Sequence, residues 1–186
     1  MSFTRSPGAR KIHTRCVEVS TYEHDETHLI VEGSLIDRGF QEYHLETGEK
    51  RYPGIIHGMI IRLLVDISTL TIDDVDVEMP TIPRDECAET KVSLDPVKGL
   101  TITSGFTLKI KELIGGTKGC AHLTALLSSM AGAAVQGWGV YQLQNPGDAE
   151  SKRVAMFQAI VNTCRTWRED GPLVKEFRRL HGRAQQ

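Results

Sequence analysis

Residues Ile55 to Val77 constrain this chain more than any other stretch. The segment is rich in Ile, Val, Leu and Thr, residue types that suit a pleated, half-buried surface. A period of two sets Ile55, His57, Met59, Ile61, Leu63 and Val65 on one face and Gly58, Arg62 and Asp66 on the other. The run is too long for one flat strand, so a turn is expected near Asp66 to Thr71. Such a run needs partner strands. Residues 11–21, 28–36 and 41–45 supply them, with Thr47-Gly48-Glu49-Lys50 as a hairpin turn.

The second half reads as helix. Pro80, Pro83 and Pro96 punctuate the connection, with a short helix expected near Asp85 to Thr90, and residues 100–113 fit neither period cleanly. From Ala121 the pattern is helical: Leu123, Leu126, Leu127, Met130, Ala134 and Gly137 form one stripe, which Asn145-Pro146-Gly147 stops. A further helix is expected from Ala149 to Arg168, with Cys164 and Trp167 one turn apart. A last amphipathic helix is expected from Pro172 to near His181. Strands first and helices later predict an α+β fold, an antiparallel sheet covered by helices, in a single domain over residues 1–186. Alternating strand–helix units are absent, which argues against a doubly wound nucleotide fold.

Net charge is −2 over 186 residues, which gives no electrostatic case for nucleic acid. Arg178, Arg179 and Arg183 cluster near the end but suit a solvated helix terminus. No apolar run reaches membrane-spanning length, and Met1 to Pro7 hold no apolar signal core. A cytoplasmic setting is the expectation. Cys16, Cys87, Cys120 and Cys164 are far apart and form no CxxC pair, so free thiols are expected rather than a zinc knuckle or disulfide framework. A homodimer is the base-rate expectation.

Chemistry concentrates in Gly115-Gly116-Thr117-Lys118-Gly119-Cys120-Ala121-His122, where a loop becomes a helix. The loop lacks the spacing of a phosphate-binding P-loop. It can bring Lys118 and helix-end N–H groups toward an anionic or phenolate oxygen, or it can be a plain connection. Cys120 and His122 stand about 200° apart on a helix. They could share an ion only if Cys120 lies outside it as a cap, and no metal site is expected. His57 on an apolar strand face is either a hydrogen-bonded core histidine or a general base facing a pocket. Tyr43 and Tyr52 can bond or stack against a ring. Arg62 and Asp66 share a strand face and can form an ion pair. His13 and Arg15 share a strand face as well, and with Asp37 and Arg38 they read as surface charge.

Several segments together resemble the bacterial domain-of-unknown-function family DUF2889. They are Ile12-His13-Thr14-Arg15, Leu35-Ile36-Asp37, Pro53 to Asp66, Pro83-Arg84-Asp85-Glu86-Cys87, and the loop through Leu123-Thr124. Ala121 replaces the threonine of the family's Gly-Cys-Thr-His-Leu-Thr. His57-Gly58-Met59 stands where the family often has His-Asp-Met, so a carboxylate is lost there. Similar enzymes occur among the γ-formaldehyde lyases of lignin-dimer catabolism, such as phenylcoumaran γ-formaldehyde lyase. The resemblance implies a cofactor-independent carbon–carbon cleavage of a small aromatic substrate. His57, His122, Lys118 and Tyr43 would be its catalytic groups, and Tyr52, Arg62, Cys120, His13 and Arg15 would line the substrate. A non-catalytic small-molecule or metal-binding protein, and a metal-dependent hydrolase using His57, Cys120 and His122, are the alternatives.

Overall fold

Alternation decides the sheet. In the computed structural model, which describes residues 8–145 and 149–181, strand β2 (His28–Gly39) buries every second residue: Leu29, Val31, Gly33, Leu35, Asp37 and Gly39. Strand β5 (Gly54–Asp66) does the same with Met59, Ile61, Leu63 and Val65. β2 and β5 are the central strands of a four-stranded antiparallel sheet, flanked by β1 (His13–Glu23) and β6 (Ile72–Thr81) in the order β1-β2-β5-β6. The expected turn after Asp66 is present. Asp66 Oδ1 accepts the backbone N–H groups of Ser68 and Thr69 at 2.9 and 2.8 Å, an Asx-type closure that a short carboxylate makes well. A small hairpin, β3 (Tyr43–His44) with β4 (Lys50–Arg51), interrupts the meander between β2 and β5.

Asp85–Val97 winds as a 3-10 helix, longer than the short helix expected there. The ambiguous residues after 100 resolve into a bridge at Thr101 and helix α1 (Phe106–Ile114), which buries Phe106, Ile110 and Ile114. Helix α2 (Ala121–Gln144) buries the predicted stripe Leu123, Leu126, Leu127, Met130 and Ala134. It lies on the buried face of the sheet. A Cβ added to Gly33 would meet Met130 Sδ at 2.6 Å, and one added to Gly137 would meet Thr21 Oγ1 at 2.2 Å. Glycine at both positions lets helix and strand backbones approach. Trp138 Nε1 donates to the Ile67 carbonyl at 2.8 Å and ties the helix to the β5–β6 turn.

The chain forms two compact units, 1–138 and 139–186. In the second, α3 (Ala149–Ile160) and α4 (Pro172–His181) carry Phe157 and Phe177, whose rings stack at 3.9 Å. α3 is shorter than the sequence predicts: Asn162 turns left-handed at φ 63° just past its end, a common helix stop. Cys164 and Trp167 are therefore not a turn apart on a helix; Cys164 is exposed and Trp167 meets Phe157 edge-on at 6.4 Å. Arg178 and Arg179 pair with Glu169 and Glu176. The expectations for Met1–Pro7, Pro146, Gly147 and Arg183 fall outside the described residues. Among the described residues no helix is long and apolar enough to cross a membrane.

Candidate active site

Three cross-strand neighbours build the site. Arg15 of β1, Asp37 of β2 and His57 of β5 are register partners in a single row across the sheet, at the end of the buried face beyond Leu35 and Met59. Alternation that buries Leu35 also buries Asp37, which is 2% exposed. A carboxylate so placed must be paired, and it is. Arg15 Nε and Nη2 donate to Oδ1 and Oδ2, both at 2.7 Å, a bidentate fork. His57 Nδ1 lies 3.1 Å from Oδ2. His13 Nε2, two residues before Arg15 on the same strand face, lies 3.5 Å from Oδ1.

The fourth wall comes from the helix. Cys120 precedes α2 and its carbonyl accepts the first helical bond, from Thr124 N at 2.9 Å. His122 in the first turn then projects onto the sheet. Its Nε2 lies 3.5 Å from Asp37 Oδ2, its Nδ1 lies 3.7 Å from Cys120 Sγ, and its ring stacks on His57 with centroids 3.8 Å apart. Gly116, at φ 63°, permits the tight turn between α1 and α2.

Electrostatics follow from this packing. The Arg15 fork holds the Asp37 carboxyl below its ordinary range, against burial, which pushes the other way. Burial lowers the His57 imidazole; Asp37 opposes, while Arg15 and His13 reinforce the lowering. His122 is lowered by burial first, then by His57 and Arg15. Both stacked rings are therefore neutral near pH 7, beside an ionised Asp37. With Asp37 ionised, the His57 nitrogen facing it carries the proton, and Nε2 keeps the free lone pair.

The residues singled out from the sequence divide. His13, Arg15, His57, Cys120 and His122 converge on Asp37. Lys118 does not: its Nζ donates to the Glu112 carbonyl at 2.6 Å and closes the end of α1. Arg62 lies on the opposite sheet face, paired with Glu32, Asp76 and Glu78. The expected Arg62–Asp66 pair does not form, because residues four apart on a strand are about 13 Å apart. Tyr43 and Tyr52 line a separate open cleft of about 350 Å³ with Ile56 and Thr81. A β-bulge lies opposite Asp37 and Arg38. It leaves Ile56 beside His57 with its Cδ1 only 3.3 Å from where a Gly39 Cβ would stand, and Tyr43 at 3.9 Å. Gly58 faces Thr81 and Pro80 of β6, so a side chain there would point away from His57.

The sequence reading missed Asp37, the centre of the site. The available signal was its phase: Leu29, Val31 and Leu35 precede it at even spacing, so a strand extended to residue 39 buries it. Two groups of described residues bring three metal-competent donors within 4.8 Å of one another: Asp37, His57 and His122, and, outside the site, His28, Asp66 and Asp73.

No curated protein and no solved structure matches the chain. Residues 13–136, which hold the whole row and His122, match the family model described as a protein of unknown function, DUF2889. With more than half of its length matched, the chain belongs to the DUF2889 family.

Proposed function

We propose that the protein is a cytoplasmic, cofactor-independent carbon–carbon lyase that releases formaldehyde from the hydroxymethyl side chain of a phenolic phenylcoumaran dimer, leaving a stilbene. The observation that carries this reading is the neutral His57–His122 stack beside the buried Asp37 that Arg15 holds. A neutral imidazole with its proton pinned on Nδ1 is a base near pH 7. The reaction asks for such a base and for cations that tolerate developing phenolate charge.

The reaction is redox-neutral and balances without an added reagent. The free phenol loses its proton, and electrons pass through the ring to break the benzylic C–O bond. The freed aryl oxygen takes a proton and a quinone methide forms. His57 Nε2 then accepts the hydroxymethyl O–H proton. The C–C bond to that carbon breaks, formaldehyde departs, and the electron pair restores the aromatic ring as a phenolate, which is reprotonated. His13 and Arg15, both half-exposed at the row, supply positive or donating edges to the oxygens that gain charge. The cleft holding Tyr43, Tyr52 and Ile56 has a size that fits a ring. Incubation of the purified chain with a phenylcoumaran dimer, with formaldehyde and stilbene measured together, tests the reading.

A further inference from the structure

We infer that Asp37, His57 and His122 also form a binding site for a borderline divalent cation of the zinc class. This goes beyond the lyase reading: an ion on His57 Nδ1 puts the ring proton on Nε2, the atom the lyase step uses as base, so bound zinc and turnover exclude one another, and binding is measured without turnover.

The argument is geometric. A zinc ion bound tetrahedrally at about 2.0–2.1 Å by nitrogen and oxygen holds adjacent donors about 3.3 Å apart. In this site His57 Nδ1 and His122 Nε2 stand 3.1 and 3.5 Å from Asp37 Oδ2. One donor from each of the three residues lies within 4.8 Å of the other two. Two edges of the donor triangle are thus near the required size; the stacked rings, 3.8 Å apart between centroids, must part to admit an ion, and the side chains are carried by a strand row and a helix start. Two imidazoles and one carboxylate are borderline donors that suit zinc more than magnesium or calcium.

The surroundings support the same assignment. Arg15 holds the carboxylate in plane through its fork, and Cys120 Sγ lies against the remote nitrogen of His122. These are the outer contacts that orient ligands in metal sites. Binding requires each ring to turn its lone pair, rather than its N–H, toward the ion. His57 does so by moving its proton to Nε2 and His122 by moving its proton to Nδ1, beside the sulfur. Arg15 places a positive charge near the ion, which opposes its binding.

The test is calorimetric titration of the full chain with zinc chloride in a non-chelating buffer. One ion per chain is expected. His57→Ala, His122→Ala and Asp37→Asn should each weaken binding by more than the roughly 10- to 100-fold typical of outer-contact losses. His28→Ala, in the other His–Asp group, should leave the isotherm unchanged. Circular dichroism confirms that each variant is folded, and His122→Gln stands in if His122→Ala is not. Cobalt(II) added in place of zinc should give visible bands of nitrogen–oxygen coordination without an intense sulfur charge-transfer band. Absence of stoichiometric zinc binding, unchanged affinity in the His57 and His122 variants, or a strong sulfur band would overturn the assignment.

Discussion

Arg15 grips Asp37 through two hydrogen bonds of 2.7 Å across neighbouring strands. It keeps a nearly fully buried carboxylate ionised. Burial lowers the two stacked imidazoles, and the same cation adds to that lowering.

Opposite substitutions in this pair should move the pH dependence in opposite directions. In the wild type the acidic limb of kcat/KM for the lyase reaction lies below the ordinary histidine value of about 6.5. Arg15→Gln removes a cation that lowers both rings, so the limb shifts to higher pH. Asp37→Asn removes the carboxylate that opposes that lowering, so the limb shifts to lower pH. A pH profile of each variant checks this; equal or same-direction shifts would contradict the electrostatic account.

Removing either stacked ring should cost turnover without costing the fold. His57 and His122 are part-exposed, and their loss leaves no large apolar cavity. His57→Ala should lower kcat by about 100-fold or more, the usual contribution of a positioned acid–base group. His122→Ala should leave the thermal transition cooperative. Full activity in both variants excludes the stack from the reaction.

Stability should fall with acid through the same groups. His57 and His122 are lowered in the folded chain, so below about 6.5 the unfolded chain binds more protons and the native state loses ground. Asp37 is lowered too; its contribution is present above the ordinary aspartate value and is lost as pH falls through its depressed one. Half-buried His28, raised by Asp73 and Asp25, works the other way: its contribution is present below about 6.5 and is lost as pH rises through its raised value. Thermal melts from pH 7 to 5 should show a falling Tm in the wild type and a shallower slope in a His57→Ala, His122→Ala double variant.

Gly137→Ala tests the helix-on-sheet packing that carries His122. Alanine in a helix ordinarily gains about 0.8–1.0 kcal/mol over glycine. Here the new methyl would stand 2.2–2.7 Å from all three side-chain atoms of Thr21, a β-branched residue on β1. Overpacking of this kind costs about 1–3 kcal/mol, so a net loss is expected in chemical denaturation, and a gain would contradict the close approach.

Local pattern made much of this molecule legible. The period of two marked the strand and its inward face from His57 to Val65, whereas Ile55, set on that face by the same count, is exposed because the bulge opposite Asp37 and Arg38 breaks the phase. The stripe from Leu123 to Ala134 fixed α2 and the face it buries. What escaped were long-range pairings. Asp37 reads as a strand-end charge unless β1 and β5 are known to lie beside it in register. Lys118 reads as a free cation unless its reach back to the Glu112 carbonyl is known. Arg62 shares a strand face with Asp66 in sequence, yet its partners come from β2 and β6. Cross-strand neighbours, not residues nearby in the chain, decide which polar groups meet.

The most direct measurement is product analysis of purified chain and phenylcoumaran dimer in buffer at neutral pH, with chelator present. The account predicts formaldehyde and stilbene in equal amounts from the wild type and neither at comparable rate from His57→Ala. Stilbene without formaldehyde, or release that is unaffected by loss of His57, would contradict it.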